Sequence, residues 1–213
     1  GVSGSRRPPA LGAPPADLSG FPRSRLTPET ALYRAHTRGR SPWWFSSDLS
    51  GRFDLLPPQG TCYLATDVET ALRERFGHEL VDLGVVSFEA AARTVVSTLR
   101  VSTPRWLANT CAGGAASFRM TREIATTPNY ALTQAWAVAL HGTGCHNGIR
   151  YQTRFTTGAT ANATALFDAA GQQDWPTDPQ PLGGVRACRQ AGITAARRPS
   201  RRQVRIVRPP GDT

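Results

Sequence analysis

Short β-rich segments and two helical stripes follow one another along this chain without a regular alternation, and that order limits the fold more than any other feature. A doubly wound α/β sheet needs strand and helix to alternate, so an irregular order fits an α+β domain instead. Strands are expected over 31–36, 61–65, 148–155 and 163–167, with β-rich character over 81–88 and 94–101 and a closing strand over 203–207. One helix is expected to start at Thr66, with Glu69 completing a capping box. Val68, Ala71, Leu72 and Phe76 form its apolar stripe, and Gly77 is expected to end it. Glu74 lies on the flank of that stripe, where it can face a cleft beside the core. A second helix opens at Pro128, runs to about Leu140 with Leu132, Ala135, Trp136 and Ala139 as its stripe, and stops at Gly142-Thr143-Gly144. A short helix is expected over 185–190, and residues 102–126 carry no decisive period.

Pro and Gly punctuate the rest: 17 and 20 of 213 residues, which points to long loops and flexible ends around one domain. Residues 1–27 are expected as a loosely attached lead, 28–208 as the folded domain and 209–213 as a tail. The loop over 37–60 is too long to be a plain connector, and its Trp43-Trp44-Phe45 cluster needs a pocket or a partner. No apolar run is long enough to span a bilayer, and residues 1–20 hold no apolar signal core, so a cytoplasmic location without membrane contact is expected.

All 25 basic residues are arginine. Residues 1–25 hold four of them against one acid, and residues 186–213 hold eight against one acid. The body between carries thirteen of each sign and is neutral. A nucleic-acid enzyme usually carries its basic surface on the folded body, so a terminal excess argues against one. An Arg-rich binding module for nucleic acid or an acidic partner stays open as an alternative. The four cysteines form no Cys-x-x-Cys pair, and His141, Cys145 and His146 lack the paired spacing of a zinc site, so no metal is expected. Gly142, Gly144 and Gly148 have the wrong spacing for a phosphate loop, and no nucleophile elbow is present. Motifs of these general kinds leave the function open.

A more specific combination lies between Tyr33 and Glu74. It comprises Tyr33-Arg34, Gly51-Arg52-Phe53, Tyr63-Leu64-Ala65 and Ala71-Leu72-Arg73-Glu74. Each charge sits at the edge of an apolar run, which suits a site that holds an anion by cations and acts on it with one carboxylate. Structural alternatives exist for each: an ordinary ion pair for Arg34, a loop anchor for Arg52, a pair with an arginine one helical turn away for Glu74, core packing for Tyr63. With the late strand Gly148-Ile149-Arg150-Tyr151-Gln152-Thr153, the set resembles the RES-domain family, bacterial proteins named for a characteristic Arg, Glu and Ser. The resemblance covers about residues 31–168. Thr153 stands where the family has Ser, keeping a hydroxyl and adding a methyl.

The resemblance implies an α+β fold like that of the ADP-ribosyltransferases, with a central mixed sheet and flanking helices. It implies NAD as substrate rather than a permanently bound cofactor. It further implies cleavage of the nicotinamide–ribose bond by hydrolysis or by phosphorolysis with phosphate as co-substrate. Transfer of ADP-ribose to a protein is the alternative, and a toxin role with an antitoxin partner accompanies both. Arg34, Glu74 and Thr153 would then be catalytic, and Tyr33, Arg52 and Tyr63 substrate-binding. The residue chemistry suits this. Arginines bind a pyrophosphate through planar paired donors. A carboxylate near the ribose stabilises the cationic, oxocarbenium-like state. A tyrosine ring can stack on the nicotinamide.

Overall fold

A computed structural model describes residues 10–157 and 162–197. The expected strand over 203–207 and most of the Arg-rich C-terminus lie outside the described residues. In chain order the elements begin with β1 (Arg23–Leu26), β2 (Leu32–Thr37), β3 (Trp44–Phe45), β4 (Gln59–Ala65) and α1 (Val68–Leu83). There follow β5 (Val86–Ser87), α2 (Phe88–Arg93), β6 (Thr94–Leu99) and β7 (Arg105–Asn109). Last come α3 (Tyr130–Gly142), β8 (Gly148–Gln152), β9 (Asn162–Ala169), β10 (Gly171–Gln172), β11 (Leu182–Gly183), α4 (Gly184–Gln190) and β12 (Ala195–Ala196). Two 3-10 turns, Gly113–Phe118 and Arg122–Ala125, occupy the stretch without a decisive period.

Eight strands form one sheet in the order β1-β7-β8-β9-β4-β2-β6-β11. The β7–β8 pair is parallel and the others are antiparallel, so the sheet is mixed and the domain is α+β. The pairing of β2 with β4 is the fold's most consequential detail. They share only the pair Tyr33–Ala65. By contrast β2 pairs with β6, and β4 with β9, along their whole lengths. The two central strands therefore part beyond Tyr33 and Ala65, and a cleft opens between them.

Each side of the parting has its own apolar cluster. On one side α1, α2 and α4 pack Ala71, Leu72, Phe76, Ala91 and Ala187 against β2, β5 and β6. On the other, α3 and the N-terminal segment pack Trp136, Leu140, Leu11, Leu18 and Phe21 with Phe53, Ile149 and Tyr151. A third cluster gathers Trp43, Phe45, Leu32, Leu99 and Leu166. Strand alternation explains the aromatic loop cluster: Trp43 and Phe45 are fully buried while Trp44, between them, is 52% exposed.

Five local expectations change. Residues 10–27 are not a loose lead: β1 pairs with β7, Leu11 N–H donates to Glu123, and Trp136 Nε1 donates to Gly12 O at 2.9 Å. The buried Leu11, Leu18 and Phe21 contribute about 1.5–3 kcal/mol each, and their spacing showed no period because an extended strap follows the body's surface. The N-cap of α1 is Asp67, whose carboxylate accepts from Thr70 N–H at 2.7 Å and Thr70 Oγ1 at 2.9 Å. The helix runs through Gly77 and stops at Gly84 in the left-handed conformation. Gly77 instead lets an aromatic ring lie against the helix, because a Cβ there would come within 2.4 Å of Phe155 Cγ. Val81 is therefore helical, and β8 stops at Gln152 rather than continuing to 155.

Candidate functional site

The parting of β2 and β4 leaves a cleft of about 500 Å³, within the usual range for a small-molecule site. Of the six residues singled out from sequence, Tyr33, Arg34, Arg52, Tyr63 and Glu74 line it, and Thr153 does not. Thr153 is buried, and its hydroxyl donates to Thr156 O at 3.5 Å. The reason is local. The chain leaves strand geometry after Gln152, so the next side chains turn away from the alternation that would have carried Thr153 beside Tyr151. Tyr151, Arg154 and Phe155, around it, do line the cleft.

Glu74 enters from α1. The expected pairing with an arginine a turn away is taken by others, since Arg73 Nε meets Glu69 Oε1 at 2.8 Å. Glu74 Oε1 is buried and has no hydrogen-bond partner among the described residues. Burial raises the pKa of this carboxyl, while the backbone N–H groups of Phe155 and Arg154 and then the charges of Arg52 and Arg154 pull it back down. A carboxylate with an unpartnered oxygen in a cleft is costly unless a ligand satisfies it.

Arg52 enters from the opposite side and is buried. Its Nη1 donates to Thr127 O at 2.6 Å, and its guanidinium lies 4.9 Å from the centre of the Tyr130 ring. Burial lowers its pKa, partly offset by Tyr130, Tyr151 and Glu74. Its backbone is fixed as well: Thr133 Oγ1 donates to Arg52 O, and Gln134 Nε2 to Gly51 O at 2.8 Å.

Tyr63 supports this same loop. Its hydroxyl accepts from Phe53 N–H at 2.8 Å and donates to Asp54 Oδ1 at 2.8 Å, and Asp54 Oδ2 accepts from Gly51 N–H at 2.9 Å. The loop leaves no room for a side chain at Gly51, where a Cβ would lie 2.4 Å from Asp54 Oδ1 and 2.5 Å from the Tyr63 hydroxyl. Tyr63 therefore presents its ring to the cleft and its hydroxyl to Asp54. Burial raises the pKa of both groups.

Arg34 stands on β2, on the other wall. Its Nη1 donates to Trp44 O at 3.0 Å, to Pro42 O and to Cys62 Sγ at 3.0 Å. It thus ties the aromatic loop down, and among the described residues its Nη2 and Nε carry no hydrogen bond. Arg75 joins it, donating from Nη2 to Thr37 Oγ1 at 2.9 Å. Burial lowers the pKa of Arg75, and the neighbouring Arg34 adds to that. Asp54, Arg75, Tyr130, Tyr151 and Arg154 escaped the sequence reading. Asp54 directly follows Gly51-Arg52-Phe53 and Arg75 directly follows Glu74, so adjacency to the motif was the available signal. Four arginines against two carboxylates make the cleft cationic, and it can hold an anionic ligand beside one strained carboxylate.

Among the described residues, no group of three or more His, Cys, Asp or Glu lies together in a way that holds a metal ion, and no helix is long and apolar enough to cross a membrane. His146 Nδ1 instead shares a hydrogen bond with Thr143 Oγ1 at 3.0 Å, and the His141 ring lies 5.6 Å from that of Phe167.

No curated protein matches the sequence. A chain in the crystal structure of the M. tuberculosis MbcT–MbcA toxin–antitoxin complex superposes with a TM-score of 0.60 at 11% identity, over 79% of this chain and 92% of that one. At that identity the likeness is one of fold. The RES domain family matches residues 31–183, which takes in both walls of the cleft and α1 with Glu74. This chain belongs to the RES-domain family.

Proposed function

We propose that this protein degrades NAD by cleaving the bond between nicotinamide and ribose, and that it acts as a toxin restrained by an antitoxin. The observation that carries the reading is Glu74, which lines a cleft walled by Arg34, Arg52, Arg75 and Arg154 and whose buried Oε1 has no hydrogen-bond partner among the described residues. NAD supplies what such a cleft lacks. Its pyrophosphate answers the arginines, and the positive charge that develops at the ribose answers the carboxylate. In the reaction the C–N bond breaks and its electron pair leaves with the nicotinamide. The ribose carbon then carries cationic character, which Glu74 stabilises until water or phosphate adds at that carbon. The rings of Tyr63 and Tyr151 wall the cleft and can stack on the departing base. The toxin–antitoxin part rests on membership of the family and on the fold shared with a chain of the MbcT–MbcA complex.

Incubation with NAD, with and without inorganic phosphate, tests the reading through release of free nicotinamide. ADP-ribose as co-product indicates hydrolysis, and ADP-ribose 1″-phosphate indicates phosphorolysis. No nicotinamide under either condition across the pH range of folded protein overturns the proposal, and label left on a macromolecule would move it to ADP-ribosyl transfer.

A further inference from the structure

A second depression of about 340 Å³ adjoins the cleft and shares Arg34 and Arg75 with it. It is lined further by His36, Arg40, Trp44 and Gln172, and among the described residues no carboxylate lines it. Three arginines gathered without an acid repel one another unless an anion lies between them. Arg40 is exposed and makes no ion pair among the described residues. Trp44 lines the same groove and is 52% exposed, although its neighbours Trp43 and Phe45 are fully buried. The backbone under the ring is held on both sides: Arg34 Nη1 donates to Trp44 O at 3.0 Å, and Trp44 pairs with Gln172 across β3 and β10. An exposed indole on a fixed backbone, lining a groove with three arginines, matches a ligand that has a flat π-face joined to phosphates.

We infer that this groove takes the adenosine diphosphate end of the dinucleotide, with the adenine against Trp44 and the phosphates between Arg40, Arg75 and Arg34. The assignment rests on the cleft being an NAD site and gives the substrate a direction. The phosphates cross where cleft and groove share Arg34 and Arg75, and the nicotinamide ribose reaches Glu74 in the cleft. Trp44 and Arg40 line the groove alone, so they separate the two halves of the ligand in an experiment.

The full chain carrying Glu74→Gln, which arrests turnover, is titrated calorimetrically with ADP and separately with nicotinamide mononucleotide. Adding Trp44→Ala or Arg40→Ala weakens ADP binding about tenfold and leaves nicotinamide mononucleotide binding within about twofold. Trp44→Phe restores most of the ADP affinity because a π-face is retained. The inference is overturned if ADP does not bind, if the groove variants bind it as the parent does, or if both ligands weaken together. Nicotinamide release by the unsubstituted chain is followed in parallel. Release with unaltered ADP binding in the groove variants sinks the groove and keeps the NAD reading. No release with ADP binding that depends on Trp44 and Arg40 sinks NAD cleavage and keeps a nucleotide groove.

Discussion

The two walls of the cleft use the same residue type in opposite ways. On the Arg52 wall the guanidinium is buried, capped by Thr127 O and stacked on Tyr130, and its loop is knotted through Gly51, Asp54 and Tyr63. On the Arg34 wall one guanidinium nitrogen ties down the Trp44 loop, and Arg75 and Arg40 stand exposed toward the groove. The first wall is a packed hydrogen-bond network that sets distances before any ligand arrives. The second supplies charge that solvent can reach. Substitutions on the first should cost stability along with activity, and on the second ligand affinity with little stability.

Glu74 lines the cleft and feels the charges of Arg52 and Arg154, so its loss should have the largest effect. Glu74→Gln is expected to lower nicotinamide release by about a hundredfold to a thousandfold. The same variant should melt a few degrees higher, because burial raises the pKa of Glu74 and holding it ionised at neutral pH costs stability. Activity that needs the carboxylate should fall as pH drops through that raised pKa, so the acid limb of the pH–rate profile begins above the ordinary carboxylate range. A limb at the ordinary range would place the titrating group elsewhere.

Arg52→Ala comes next. It strips Thr127 O of its donor and leaves the Tyr130 face empty, at a cost of about 3 kcal/mol in urea unfolding together with the activity. Arg40→Ala, at an exposed position, should cost less than about 1 kcal/mol by the same measurement while weakening NAD binding. Equal destabilisation by the two would erase the contrast between the walls. Asp54→Asn leaves one acceptor oxygen for two donors, Gly51 N–H and the Tyr63 hydroxyl, and should cost about 1–2 kcal/mol, with a raised KM as the loop bearing Arg52 shifts. Gly77→Ala acts on stability more than on ligand contacts. The helix gains from alanine, but the new Cβ pushes the Phe155 ring into the cleft, for a net loss of about 1 kcal/mol.

Some of this was legible in the chain and some was not. The spacing of Val68, Ala71, Leu72 and Phe76 correctly set one face of α1 on the core and Glu74 on its flank, because helical periodicity is local. Gly77 misled, since a glycine that admits a neighbouring ring looks in sequence like one that ends a helix. Trp44 was part of an aromatic triplet, and only the alternation of β3 singled it out for exposure.

The order of motifs from Tyr33 to Glu74, the neutral body and the irregular mix of elements were enough to determine the family, the α+β class and five of the residues that meet in the cleft. Those features depend on spacing along the chain, which the sequence states directly. Three matters were decided only by the tertiary structure. One is that β2 and β4 part after a single pair. Another is that the Tyr63 hydroxyl is committed to Asp54. The last is that Thr153 turns to Thr156 while Arg75 and Trp44 come forward. Each depends on strand pairing or on the competition of several partners for one polar group. Such choices are settled by segments far apart in the chain, where no local period records them.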